Sequence, residues 1–423
     1  MRTGLLFWLI GALPLGLMAQ FSVGGQVSDA EAGEPLPFVQ VRALRAGTGT
    51  LSNAEGAFTL QLPGPDTLLV SGIGYDPAYV PVSRAELALA IPLATRTYSL
   101  AEVLIVPVPA TDLLRQALAA IPENHGHDPV MMQAFYRELV SENGQYVELN
   151  EAVVDLYKCG NAAERQRQDQ VRLIRGRRRG EASRVPNVNI SLGTGGIHAM
   201  SGMAVTAEPF LPSFLDPDNF KLYTYELVGV EEYLGRKVYE ITFDQARRLR
   251  KKLYMGTIYL DVETLAFASI AFEISPQGKK VRASQFGGLK MQAAIAMARL
   301  FGYEFEFVDE QGRLDFRPQA GAWYLAYNGR DLEMAMHIPE KATYTEAGDT
   351  LPQDIVLRAR RELAVTGFQP GPATSFAPEE QFSRDSTLAS VAGPYEDAFW
   401  AGYSYLAPTQ SLRRAAEAIR REE

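Results

Sequence analysis

The chain reads as a mostly β protein in two parts, a small β-sandwich followed by a larger antiparallel sheet with a few helices. Three observations predict this. From Phe21 to about Leu93, short β-rich runs are separated by clusters of Gly, Pro, Asn and Asp. Beyond Val130, longer runs alternate apolar and charged residues, the period of a strand with one buried face. The 423 residues, 47% hydrophobic and 22% charged, supply enough apolar material for two or three separate cores and argue against wholesale disorder.

Taken in order, residues 1–19 read as an export signal. Arg2 precedes the apolar run Gly4 to Leu13, Pro14 breaks it, and Ala19 offers a small residue at the cut before Gln20. That run is too short to span a bilayer comfortably, and no other segment approaches the roughly 20 apolar residues required. No cysteine follows it, so a lipid anchor is not supported. The expectation is an exported chain, periplasmic or associated with the outer membrane and not itself membrane-spanning.

Residues 20–97 form the sandwich. Val23 to Val27, Phe38 to Ala43, Ala57 to Leu62 and Thr67 to Ser71 are its clearest strands, and Phe58, Leu60 and Leu62 alternate with Thr59 and Gln61. Gly56 closes the Asn53 to Gly56 turn, where positive φ suits a residue without Cβ. Residues 98–125 read as a linker and a short helix capped by Thr111-Asp112 and stopped by Pro122.

Residues 126–368 form the large sheet. Asn143-Gly144 marks a hairpin, and Tyr239/Ile241/Phe243, Tyr303/Phe305/Phe307 and Leu332/Met334/Met336 each alternate with polar or small residues. Residues 289–301 fit a helix covering the apolar face through Ala293, Ala296, Met297 and Leu300, or a strand. Residues 369–394 are Pro-, Ser- and Gly-rich and read as an irregular surface segment. Residues 395–423 carry an aromatic stretch and a final helix with Leu412, Ala416 and Ile419 facing inward.

Two resemblances add to this reading. Gly25-x-Val27-x-Asp29, Gly33-Glu34-Pro35-Leu36-Pro37, Val39-x-Val41, Asn53-x-x-Gly56-x-Phe58 and Ser71-x-x-Gly74-Tyr75 resemble the carboxypeptidase-regulatory-like domain. The resemblance implies a seven-stranded transthyretin-like sandwich of the kind found in Bacteroidetes-type cell envelopes, often ahead of outer-membrane receptors. It implies no zinc ligands or peptidase residues. Phe135-Tyr136-Arg137-Glu138, Glu151-Ala152, Gly235-Arg236-x-Val238-Tyr239 and Gly256-x-Ile258-Tyr259-x-Asp261 are similar to uncharacterised envelope proteins whose curved sheet is like the periplasmic lipoprotein-carrier fold. That second resemblance implies a curved sheet and no activity.

Chemistry is sparse. A formal net charge of −9 disfavours a general nucleic-acid binder, which needs a basic surface. His125-x-His127 lacks a third ligand at a recognised spacing and reads as a solvated loop. His337-x-x-Glu340 lacks the second histidine of a catalytic zinc site and reads as a strand end. Ser191 to Gly196 lacks the ending of a phosphate loop. Cys159, alone, reads as a small buried hydrophobe. No catalytic residue, metal ligand or cofactor site is predicted.

What remains are two surfaces. Tyr239, Ile241, Phe243, Trp323, Leu325 and Tyr327 could line an apolar ligand face, although such a stripe is also how any one-faced sheet buries an ordinary core. Arg172, Arg175, Arg177, Arg178 and Arg179 could meet an anionic partner, or be solvated surface pairing with local acids. The leading functional reading is a non-enzymatic envelope protein that docks or scaffolds through its sandwich, with an outer-membrane protein or receptor as partner. The alternatives are a periplasmic carrier of lipid or another apolar ligand, and an enzyme built on Glu148, Glu151 and Asp155.

Overall fold

The computed structural model describes residues 20–96, 108–126, 128–160, 169–180, 196–201, 212–247, 249–281, 296–340, 352–369, 371–383, 386–394 and 403–422. Strands β1 (Phe21–Asp29), β2 (Gln40–Ala43), β3 (Gly49–Leu51), β4 (Ala57–Leu62), β5 (Asp66–Ser71), β6 (Ala78–Val82) and β7 (Glu86–Leu93) build the sandwich. One layer runs β4-β1-β7 and the other β3-β2-β5-β6. Val23, Val27, Val41, Leu60, Leu62, Leu68 and Val70 are fully buried between the layers, as the period-2 pattern requires. Gly56 has φ +72°, and a Cβ there would lie 2.3 Å from the carbonyl oxygen of Val27. No other residue fits that turn.

The larger sheet has eleven strands. In chain order they are β8 (Val130–Glu142), β9 (Gln145–Lys158), β10 (Gln170–Gly180), β11 (Tyr223–Tyr233), β12 (Arg236–Gln245), β13 (Tyr254–Asp261), β14 (Phe267–Ile274), β15 (Glu304–Gln319), β16 (Ala322–His337), β17 (Asp354–Gln369) and β18 (Gly393–Pro394). Their order across the sheet is β11-β12-β13-β14-β15-β16-β17-β8-β9-β10-β18. All neighbours are antiparallel except the two-residue β18, which runs parallel to β10. The β8–β9 hairpin turns at Asn143 and Gly144, with φ 49° and 80°, the left-handed pair that matches strand twist.

Helices cover one face. These are α1 (Ala110–Ala119), α2 (Ile121–Asn124), α3 (Gly196–Ser201) and a 3₁₀ turn at Pro217–Leu222. Leu113, Leu114, Ala117 and Ile121 join the main core there. Helix α1 starts one residue before the expected cap, after Pro109 and without a side-chain cap. Pro122 does not end the helical stretch but sits in the first turn of α2, where its missing N–H is harmless. A short helix α4 (Leu388–Val391) packs on β9 and β10.

Two expectations about covering helices divide. Residues 296–300 are helical, but Met297 and Leu300 are 57% and 79% exposed, so this helix does not cover the apolar face. The final helix α5 (Gln410–Glu422) does turn Leu412, Ala416 and Ile419 inward, onto Leu139 and Leu149. Its first turn is held by Thr409, whose Oγ1 accepts from Leu412 N at 3.1 Å. Glu55 of the sandwich also accepts from Gln410 N at 2.8 Å. His127, Ala293 and most of the glycine-rich stretch at 191–195 lie outside the described residues.

Candidate functional site

The helix-covered face gathers five of the six residues predicted as an apolar face. Ile241, Phe243, Trp323 and Leu325 are buried in one continuous core, and Tyr239 packs half-buried against it. The space over them is filled by the chain itself. Phe214 stacks on Phe243 with ring centroids 4.4 Å apart and meets Phe272 at 5.2 Å and Tyr254 at 5.8 Å.

Tyr327 is a correction, because it lies on the opposite face. Asp315 pairs with Tyr327 but Phe316 pairs with Leu325, so Ala326 is an extra residue, and a bulge reverses the alternation beyond it. Tyr327 instead joins Leu51, Phe135, Val153, Ala364 and Leu406, and its ring lies 5.6 Å from that of Phe38.

This opposite face seats the sandwich. Gln40 Nε2 donates to Tyr233 Oη at 2.7 Å, and Leu234 N donates to Ser71 Oγ at 3.2 Å. Residues 403–407 are held by both parts. Gln61 N donates to Ser404 Oγ at 3.0 Å, Asn53 Nδ2 to Ala407 O at 3.0 Å, and Arg137 Nη2 to Leu406 O at 2.9 Å.

Under that segment runs a row of alternating charges across four adjacent strands. Glu362 (β17) faces Arg137 (β8), Arg137 faces Glu151 (β9), and Glu151 faces Arg177 (β10), each directly across the ladder. The closest approaches are 3.4, 2.8 and 2.6 Å. Burial opposes the charge on Arg137, but Glu151 and Glu362 outweigh it and raise its pKa. Such a row, each charge between opposite neighbours, is how buried ions are tolerated. In the sequence Arg137 stands out only within Phe135-Tyr136-Arg137-Glu138; its pairing with Glu151 depends on the register of the β8–β9 hairpin.

The predicted arginine patch divides in the same way. A bulge at Ile174 sets Arg172, Arg175, Arg177 and Arg179 on one face and Arg178 on the other. Arg177 and Arg179 are 5% and 8% exposed. They are committed internally, Arg177 to Glu151 and Arg179 to the carbonyl of Ala416 at 2.7 Å, so they cannot meet a partner. Arg172 pairs with Asp155 and Glu380, each at 2.8 Å, and lies over the Phe376 ring. Arg175 and Arg178 are exposed.

The three acids considered for catalysis do not converge. Glu151 belongs to the buried row, Asp155 to Arg172, and Glu148 faces the other side of β9. There Asn150 donates to Glu148 at 2.6 Å, while burial raises the Glu148 pKa. His125 is a further correction: it is fully buried, not solvated. Its ring lies 5.2 Å from Phe316 and its Nε2 accepts from Phe267 N at 3.3 Å. Desolvation by burial lowers its pKa to about 3, so it is a neutral core group. His337 ends β16, with Nδ1 2.8 Å from Asp354. Among the described residues, no three His, Cys, Asp or Glu side chains group as metal ligands.

Two cavities are small. One, of about 40 Å³, lies between sandwich, sheet and α5 and is lined by residues including Phe38, Asn53, Arg137, Tyr327 and Leu412. The other, of about 10 Å³, lies beside Tyr324 and Leu325. Sites for drug-sized ligands hold roughly 300–1,000 Å³; these hold one or a few waters.

Residues 23–105 match the family model of the CarboxypepD_reg-like domain. The sandwich carries that family's signature. Solved structures similar to the chain include a LolA-superfamily protein from Nitrosomonas europaea, 12% identical over 63% of this chain and 96% of that one, with a TM-score of 0.21. Another is a DUF1329 family protein from Desulfovibrio piger, 9% identical over 62% and 93%, also with a TM-score of 0.21. Those likenesses are loose, and the chemistry above rests on this chain's own residues. Among curated proteins none matches the chain.

Proposed function

We propose that this protein is a non-enzymatic docking scaffold of the cell envelope, exported to the periplasmic side of the outer membrane. The observation that carries the reading is that the apolar face of the large sheet, the one that could cradle a ligand, is filled by the chain's own residues. Phe214 and α1–α3 fill one face, and the sandwich with residues 403–407 covers part of the other. Among the described residues, no three His, Cys, Asp or Glu side chains converge as metal ligands. No helix among them is long and apolar enough to cross a membrane.

The sandwich is clamped to the sheet near β3. Tyr79 on β6 and Leu87 on β7 are 63% and 69% exposed, and both strands lie at ends of their layers. Such strand edges are where a partner chain can add.

Cell fractionation tests compartment and role together. The scaffold reading expects a processed chain in the periplasm or with the outer membrane. Cytosolic recovery with an intact N-terminus would overturn it. Native mass spectrometry of gently purified protein separates the carrier alternative: the scaffold is expected free of lipid, because a bound acyl chain would have to displace Phe214.

A further inference from the structure

The seam between sandwich and sheet holds a second group of charges, apart from the row at Arg137. Arg317, on β15, is 3% exposed, and its Nη2 has no hydrogen-bond partner. Arg42, on β2, is half-buried with its Nε buried and unpartnered. Both border Gly49: a Cβ there would lie 3.1 Å from Arg317 Nη1, and Arg42 faces Gly49 directly across the β2–β3 ladder. Thr48, beside Gly49 in the chain, also has a buried Oγ1 with no partner.

Burial, and then the nearby charge of Arg42, lower the Arg317 pKa to about 10. It remains charged at neutral pH, so the like charges stay together. Other buried arginines are treated differently. Arg137, Arg177 and Arg361 each have a carboxylate oxygen within 2.6–2.8 Å. Arg317 and Arg42 have none among the described residues.

A buried guanidinium without a counter-ion is strongly destabilising, and a guanidinium cannot escape by losing its proton at neutral pH. A buried arginine and a half-buried one bordering the same glycine, with no carboxylate between them, match a doubly charged oxyanion, which can accept N–H donors from both. We propose that this seam binds a small oxyanion of the phosphate class between Arg317 and Arg42, joining the sandwich to the sheet. The half-buried Arg42 marks the route from solvent.

The test uses the purified full chain, exchanged exhaustively into phosphate-free chloride buffer and titrated with inorganic phosphate at constant ionic strength. Calorimetry should show saturable one-to-one binding, with a rise in Tm. Arg317→Met should weaken binding at least tenfold, and Arg42→Met serves as a second variant at a half-buried position. In phosphate-free buffer Arg317→Met should melt at or above the wild type, since it removes an unmatched charge. A purely structural arginine would instead leave the variant destabilised equally with and without phosphate, which overturns the proposal.

Flotation with phosphatidylglycerol or phosphatidylcholine vesicles separates the sources. Capture by the anionic vesicles alone, dependent on Arg317, assigns the oxyanion to a lipid headgroup; phosphate binding without capture assigns it to solution. Absence of both responses, or equal responses in Arg317→Met, would refute the site.

Discussion

At the scale of single residues, His125 sets a pH dependence. Its folded pKa is depressed to about 3 by desolvation, whereas an unfolded histidine titrates near 6.5. Below about pH 6.5 the unfolded chain takes up a proton that the folded chain refuses. The stability this group supplies is therefore complete above that pH and is lost as pH falls toward 3, at about 1.4 kcal/mol per pH unit. Glu148 has the opposite sign: burial raises its folded pKa, so its contribution is present below its unfolded value and is lost as pH rises through the folded one. Urea unfolding at pH 7 and pH 5 is expected to show a smaller loss in His125→Gln than in the wild type, by about 2 kcal/mol. Equal losses would mean that His125 is not the neutral, water-excluded group its surroundings make it.

At the scale of elements, the C-terminal helix α5 is a lid on one end of the sheet. Leu412, Ala416 and Ile419 cover Leu139 and Leu149, and the carbonyl of Ala416 accepts from Arg179. Removing residues 410–423 uncovers two leucines and takes away the Ala416 carbonyl to which the buried Arg179 donates, a combination that destabilises locally. Hydrogen exchange should rise in β9 and β10 near residues 145–150 and 177–180 and stay unchanged in β12–β14; a uniform rise, or none, would contradict this. The helix was legible because its apolar residues recur within one short stretch, and Phe58, Leu60 and Leu62 made β4 legible for the same reason. Tyr327 and the arginine patch were not, since the bulges at Ala326 and Ile174 reverse or realign side chains without a composition that announces them. His125 looked like a loop residue because its burial depends on Phe267 and Phe316, distant in sequence.

At the scale of the whole molecule, the seam decides whether sandwich and sheet behave as one body. Sequence patterns place strands within each part, but they carry no trace of Gln40 meeting Tyr233, or of residues 403–407 threading between the parts. These contacts join positions up to hundreds of residues apart, and they combine an apolar cluster around Leu51, Phe135 and Tyr327 with the buried charge row beneath it. Unfolding the sandwich alone would bare that cluster and strip residues 403–407 of their bonds to Gln61 and Asn53, so partial unfolding is disfavoured relative to global unfolding. Calorimetry of the full chain is thus expected to show a single cooperative transition. Replacing Phe38 and Leu51 together by alanine removes apolar contact on the sandwich side of the seam while touching neither the charge row nor the sheet's helix-covered core. That double variant should resolve into two transitions, the sandwich melting first and the sheet near its original temperature. Two transitions in the wild type, or one undivided transition in the variant, would show that the parts are coupled differently from what this packing requires.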